Sequence, residues 1–113
     1  MAVHILEDDP GVSDSLQTFL QGMGHDAFVY PDAETFFGHE PPGSEDTIIV
    51  DLLLPGIPGA RVIRWLLTLK DPPTVIAISG QAQSVIDRQL SGLAGTLKIL
   101  RKPLTSKTIA NMV

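Results

Sequence analysis

Five short apolar segments alternate with five helical patterns along the sequence, and this alternation restricts the possible folds more than any other feature. The apolar segments are predicted strands at residues 2–6, 27–30, 47–50, 74–78 and 96–100. Helices between consecutive strands would form the crossover connections that parallel strands require. We therefore expect an α/β fold, a three-layer (αβα) sandwich of the flavodoxin-like kind, with a five-stranded parallel sheet of order 2-1-3-4-5.

The predicted helices are defined by capping residues and by apolar residues at helical spacing. Asp9 is expected to cap the first helix, with Pro10 at its first position, and Asp32 to cap a short second helix. The third helix is expected to end at Asp71, before two prolines, and the fifth to begin at Ser106. The expected apolar faces comprise Val12, Leu16, Phe19, Leu20 and Met23, then Phe36 and Phe37, then Val62, Ile63, Leu66, Leu67 and Leu69, and finally Val85, Ile86 and Leu90.

Composition excludes several classes of protein. The 113 residues suit a single domain with its own core, and the absence of cysteine excludes disulfides and cysteine metal sites. A net charge of -5 argues against nucleic acid as a direct ligand, because phosphate backbones are bound by basic surfaces. No apolar run approaches the roughly 18 residues of a membrane span, and the N-terminus lacks the features of a signal peptide. We expect a cytoplasmic domain that binds neither nucleic acid nor membrane.

Polar side chains follow four of the predicted strands at their carboxyl ends. In a parallel sheet these ends lie together at one edge. These residues are Glu7, Asp8, Asp51, Ser79 and Lys102. Three carboxylates close together repel one another, and a divalent cation such as Mg²⁺ would keep them ionised while leaving positions for phosphate oxygens. A lysine and a hydroxyl suit a phosphoryl group. The pattern therefore predicts phosphoryl transfer to a carboxylate, with Asp51 as the nucleophile.

Four sequence landmarks, in this order and at this spacing, match a known family. They are residues 5–10 (ILEDDP), residues 51–55 (DLLLP) with Gly59, residues 78–80 (ISG), and Lys102-Pro103. Over essentially its whole length the chain resembles the CheY-like receiver domain of two-component response regulators. The resemblance implies a phosphoprotein of phosphorelay signal transduction, with one receiver domain at residues 1–113 that could be the N-terminal part of a longer regulator.

The resemblance also assigns roles to the site residues. Asp51 would be the phosphoacceptor, phosphorylated by a sensor histidine kinase or a small phosphodonor. Magnesium would be held by Glu7, Asp8, Asp51 and the backbone carbonyl of Leu53.

Further expectations follow from the same resemblance. Ser79 and Lys102 would bind the phosphoryl oxygens, and the Lys102-Pro103 peptide bond would be cis. The domain would not be an enzyme beyond catalysing its own phosphorylation and slow dephosphorylation. Its partners would be the kinase, an output domain or effector, for example one that regulates transcription, and a second copy on activation.

Some positions depart from the family pattern. Ile99 stands where receivers commonly carry a tyrosine or phenylalanine, so the aromatic part of the switch is in question. Residues 92–98, which lead into the last strand, are about one residue longer than usual. Leu53 and Gln81 occupy positions that tune acyl-phosphate hydrolysis in the family. Leucine cannot orient a water molecule, whereas the glutamine could, and with only one of the two positions able to do so we predict slow self-dephosphorylation.

Other interpretations remain open at this stage. A pseudo-receiver would keep the fold as an interaction module without phosphorylation, although its acid set is complete here. A small-molecule phosphatase of the haloacid-dehalogenase type needs a second aspartate where Leu53 stands, and a flavodoxin needs a Ser/Thr/Gly loop after the first strand.

Several residues outside the predicted site at the sheet edge are expected to have structural or solvent roles. These are the three histidines at positions 4, 25 and 39, the half-exposed Trp65, the solvated Arg61, Arg64 and Lys70, and Arg101, which would point away from Lys102.

Overall fold

The computed structural model describes residues 2–93 and 97–112, which contain a five-stranded sheet. The strands are β1 (Ala2–Leu6), β2 (Asp26–Tyr30), β3 (Thr47–Asp51), β4 (Thr74–Ser79) and β5 (Lys98–Arg101). Their order is β2-β1-β3-β4-β5 and every neighbouring pair is parallel. The predicted fold class and strand order are confirmed. Thr96, where we expected the fifth strand to begin, lies outside the described residues.

Five helices connect the strands: α1 (Pro10–Gly22), α2 (Ala33–Phe37), α3 (Gly59–Leu66), α4 (Gln83–Gln89) and α5 (Ser106–Met112). The predicted caps are present, since the Asp9 carboxylate accepts from the Gly11 N–H at 2.9 Å and that of Asp32 from the Thr35 N–H at 2.7 Å. In the described part of the chain, no helix is long and apolar enough to cross a bilayer.

The helix α3 ends earlier than predicted, at Leu66 rather than near Asp71. Beyond that point the Thr68 N–H donates to the Trp65 carbonyl, and the Leu69 N–H donates to the Leu66 carbonyl. Such three-residue spacing tightens the chain into turns instead of continuing the α-helix. Leu69 still packs against the core, so its predicted contact is correct although it lies outside the helix.

The core consists of two clusters, one on each face of the sheet. One contains Leu6, Ile48, Val50 and Ala77 together with side chains of α2, α3 and α4, and the other contains Val3, Ile5, Ile49, Ile76 and Ile78 with side chains of α1 and α5. Successive strand residues point to opposite faces, so a strand that contributes to both clusters is apolar throughout. This arrangement explains the continuous apolar runs in the sequence.

Three expectations about side chains are wrong. Phe37, expected on the apolar face of α2, is 39% exposed and its ring packs on that of Trp65. Met23 is 41% exposed at the C-cap of α1, just past the last helical residue, Gly22. Arg64 is exposed but not merely solvated, since its Nη2 donates to the carbonyls of Gln89 and Ser91. The C-terminus of α4 lies beside it, which spacing along α3 alone cannot reveal. Trp65 is half-exposed, as predicted.

His4 has the structural role expected of it. Its Nε2 lies 3.2 Å from the Asp46 carboxylate and its Nδ1 lies 3.0 Å from the Tyr30 hydroxyl. The same carboxylate accepts from the N–H groups of Ala2 and Gly43 at 3.3 and 3.1 Å. These contacts fasten the loop before β3 to β1.

Gly59 allows α3 to begin directly against the end of β3. A Cβ atom at this position would overlap the backbone carbonyl of Asp51, which cannot move without distorting the strand. Only glycine fits there, and the close approach fixes the first turn of α3 relative to the Asp51 backbone.

We predict that Gly59→Ala lowers the free energy of unfolding by about 2–4 kcal/mol, because the added methyl group must displace backbone. Urea denaturation monitored by circular dichroism would measure the loss. Gly22→Ala is the matched control, since nothing lies within 4 Å of a Cβ at that helical position and stability should be unchanged or higher. Equal effects of the two substitutions would contradict the close-contact interpretation.

Candidate functional site

The carboxyl ends of four neighbouring strands bring the predicted site residues to one edge of the sheet. Glu7 directly follows β1, Asp51 and Ser79 are the last residues of β3 and β4, and Lys102 directly follows β5. The register places Asp51 opposite Ile78. The strand order therefore makes neighbours of residues up to 95 positions apart.

Lys102 lies between two buried carboxylates. Its Nζ donates to Glu7 Oε1 at 2.6 Å and to Asp51 Oδ2 at 2.9 Å. Glu7 and Asp51 are only 1% and 3% exposed, so their charges are poorly screened by water. The remaining Asp51 oxygen, Oδ1, accepts from the Leu53 N–H at 3.0 Å. Both oxygens of the predicted nucleophile are thus held in defined positions.

The third acid of the set, Asp8, is exposed at the mouth of the site. One carboxylate oxygen from each of Glu7, Asp8 and Asp51 lies within 4.8 Å of the others. The second oxygen of Glu7, Oε2, is buried and has no hydrogen-bond partner in the described part of the chain. An all-oxygen cluster with an unpartnered buried carboxylate oxygen fits a hard divalent cation.

The electrostatic environment of Glu7 disfavours its charged form. Burial raises its pKa, the neighbouring Asp51 carboxylate raises it further, and Lys102 only partly opposes them, so that the pKa reaches about 7. For Lys102, burial lowers the pKa, but the hydrogen bonds and negative charges of Glu7 and Asp51 outweigh it, and the pKa is raised. Lys102 therefore stays charged, and the site retains an excess of carboxylate over cation.

Ser79 is buried at the same edge, but its hydroxyl is engaged within its own loop. Its Oγ accepts from the Gln81 N–H at 3.0 Å and donates to Gln81 Oε1 at 3.4 Å. Among the described contacts, the hydroxyl does not reach Lys102 or Asp51. The structure thus brings the three acids and Lys102 together, with Ser79 nearby and turned to the loop before α4.

Two further predictions concern residues beside the site. The Lys102-Pro103 peptide bond is cis, as expected. The Leu53 side chain is 65% exposed at the rim, while the proposed role of its backbone carbonyl as a metal ligand remains a prediction. Sequence reasoning missed the contact of Arg64 with α4, for which the arginine alone carries no signal.

Comparison with known proteins agrees with this fold and site. The family model of the response regulator receiver domain matches residues 3–113, so the chain belongs to that family of two-component signalling proteins. The transcriptional regulatory protein FixJ of Bradyrhizobium diazoefficiens is 22% identical over 111 residues, which cover 98% of this chain and 54% of that protein. The chain spans about half the length of the curated relatives it matches.

Solved structures show the same fold. The chemotaxis response regulator CheY4 of Vibrio cholerae has a TM-score of 0.83 at 17% identity, covering 98% of this chain and 94% of that chain. The BeF3-activated receiver domain of DrrB has a TM-score of 0.80 at 16% identity, with the same two coverages. The expected CheY-like receiver fold is confirmed.

The raised pKa of Glu7 predicts a pH dependence of stability in metal-free buffer. In the unfolded chain Glu7 loses its proton near pH 4.5, whereas in the folded chain it keeps the proton to about pH 7. Its contribution is therefore complete below about pH 4.5 and is lost as the pH rises to about 7, by on the order of 1–3 kcal/mol.

Chemical denaturation of the wild type and of Glu7→Gln across this range would isolate that contribution, because the amide side chain of the variant does not titrate. The difference between the two proteins should decline as the pH rises. Magnesium chloride should stabilise the wild type more at pH 8 than at pH 5, since metal binding needs the ionised carboxylate. A difference that is flat with pH would contradict the raised pKa.

Proposed function

We propose that this receiver domain accepts a phosphoryl group on Asp51 from a sensor histidine kinase, in a reaction that requires Mg²⁺. The observation that carries the proposal is the position of Lys102, whose ammonium bridges Asp51 and Glu7 beside a third acid. The same set of residues opposes the alternative of a pseudo-receiver, which would have no use for three carboxylates and a lysine gathered at one edge.

The residues of the chain divide the chemistry between them. A carboxylate oxygen of Asp51 forms a bond to phosphorus while the phosphorus–nitrogen bond of the kinase phosphohistidine breaks, and the ring nitrogen that leaves takes up a proton from solvent. The Leu53 N–H and Lys102 hold Asp51 in position for this attack. After transfer, the negative charge of the site lies on the phosphoryl oxygens, and Lys102 can form a charge-assisted hydrogen bond to one of them.

A bound Mg²⁺ would neutralise phosphoryl oxygens and keep the carboxylates ionised together. The residues that would hold it are Glu7, Asp8, Asp51 and the backbone carbonyl of Leu53. The buried Oε2 of Glu7, which has no hydrogen-bond partner among residues 2–93 and 97–112, and the exposed position of Asp8 support this assignment.

Phosphorylation would change the structure through Ser79. The new phosphoryl oxygens offer its hydroxyl a stronger acceptor than Gln81, so the loop after β4 and the helix α4 would follow. The readout would be the face formed by α4, β5 and α5, which would contact an output domain, an effector or a second copy. The domain would act on no substrate other than its own phosphoryl group.

We expect incubation with acetyl phosphate and magnesium chloride to add one phosphoryl group, because the reaction needs only a phosphodonor and the assembled site. Intact-mass spectrometry would detect the adduct, which should be absent with EDTA and in Asp51→Asn. Asp14→Asn is the matched control, as Asp14 lies on α1 and should not affect labelling. No adduct on a folded wild type, or an adduct on Asp51→Asn, would contradict the proposal.

The exposed Leu53 side chain predicts slow loss of the phosphoryl group, with a half-life of minutes or longer, since a leucine at this position cannot orient an attacking water and only Gln81 could. Leu53→Asn should accelerate hydrolysis about three- to tenfold by supplying one hydrogen bond to that water. Leu53→Ala, which opens the same space without a hydrogen bond, is the control. The time course of phosphate release would measure these rates, and a wild-type half-life of seconds would refute the prediction.

A further inference from the structure

The helix α4 is attached to the rest of the domain by few contacts. It is seven residues long, its N-cap residue Ala82 makes no side-chain capping hydrogen bond, and Ile86 is its only buried residue. Leu90, just after the helix, is also buried, while Gln89 Oε1 is buried without a partner in the described part of the chain. A short helix with so little buried surface is easily displaced.

One side chain outside α4 satisfies carbonyl groups at its C-terminal end. Arg64 Nη2, on α3, donates to the carbonyl oxygens of Gln89 at 3.1 Å and Ser91 at 3.0 Å. These carbonyls lie where a helix leaves acceptors unpaired and where its dipole is negative, so a guanidinium is well suited to them. Arg64 thus joins the end of α4 to a different helix through a side chain.

The helix that carries Arg64 is itself fixed to the site. Its first residue, Gly59, packs directly on the carbonyl of Asp51. The helix α4, in contrast, follows the loop that contains Ser79 and Gln81. Arg64 therefore connects a helix anchored at the proposed phosphoacceptor to the helix that the proposed switch would move.

We propose that Arg64 is a positioning residue that holds α4 in its unphosphorylated place, an inference that rests on the proposed function. When a phosphoryl group on Asp51 draws the Ser79 hydroxyl away from Gln81, α4 follows the loop and its terminal carbonyls withdraw from Arg64. The arginine thus stabilises the resting arrangement selectively. A contact made in only one of two states stabilises that state and lowers the population of the other.

Removal of the contact should release α4 and favour the activated arrangement. In Arg64→Gln, hydrogen exchange in residues 83–91 should be about three- to tenfold faster than in the wild type. The apparent dissociation constant for beryllofluoride, a phosphoryl analogue, should fall by a similar factor in magnesium buffer. Mass spectrometry of exchange and isothermal titration calorimetry would give the two readouts.

Two variants make the test specific. Arg61→Gln removes an exposed arginine one turn earlier on the same helix, whose side chain makes no hydrogen bond to α4 among the described contacts, and it should behave as the wild type. Arg64→Lys keeps a cation within reach of the carbonyls and should fall between Arg64→Gln and the wild type. This rescue would not be expected if the arginine supplied only bulk.

The possible results separate the inference from the function on which it rests. Unchanged exchange in residues 83–91 would overturn the attachment of α4 by Arg64. Faster exchange with unchanged beryllofluoride affinity would show a contact common to both states and overturn the selective role. A wild type that binds no beryllofluoride would overturn the proposed function, and the switch with it, while the exchange data would still report the attachment.

Discussion

The Lys102 ammonium between the buried carboxylates of Glu7 and Asp51 is the interaction on which the rest of this structure depends. Two carboxylates in a poorly hydrated site repel each other, and a single lysine just after the last strand reduces that repulsion. This contact forms only if β1, β3 and β5 end at the same edge of the sheet. The strand order is therefore what makes the chemistry of the site possible. The remaining excess of negative charge makes the site suited to a cation.

A second feature connects this site to its surroundings. Gly59 brings α3 against the carbonyl of Asp51, and Arg64, less than two turns later, reaches the end of α4. Ser79, at the end of β4, is held by Gln81 at the start of the loop that leads into α4. A series of contacts therefore runs from Asp51 through α3 to the end of α4, and from the start of α4 back through its loop to Ser79. In the function proposed here, phosphorylation of Asp51 would act on α4 through these contacts, without a large rearrangement of the core.

Prediction from sequence succeeded where local patterns carry the information. Asp9 and Asp32 cap helices because a short side-chain acceptor satisfies free N–H groups at any helix start. Prediction failed at helix ends, where local turns replace the helix, and where segments distant in the sequence meet. Leu67 and Leu69 have helical spacing but follow the last turn of α3, Met23 lies past the end of α1, and Arg64 meets carbonyls 25 and 27 residues away.

The sequence by itself determined the type and order of the elements and the residues that gather at the sheet edge, because periodicity and strand ends are local properties and parallel topology follows from alternation. Only the tertiary structure decided how those residues interact. The proton affinity of Glu7 depends on burial and on charges up to 95 positions away in the sequence. The hydrogen-bond partner of the Ser79 hydroxyl depends on the path of the loop that contains Gln81. Such quantities arise from distances and solvent exclusion in three dimensions, which no spacing along the chain specifies.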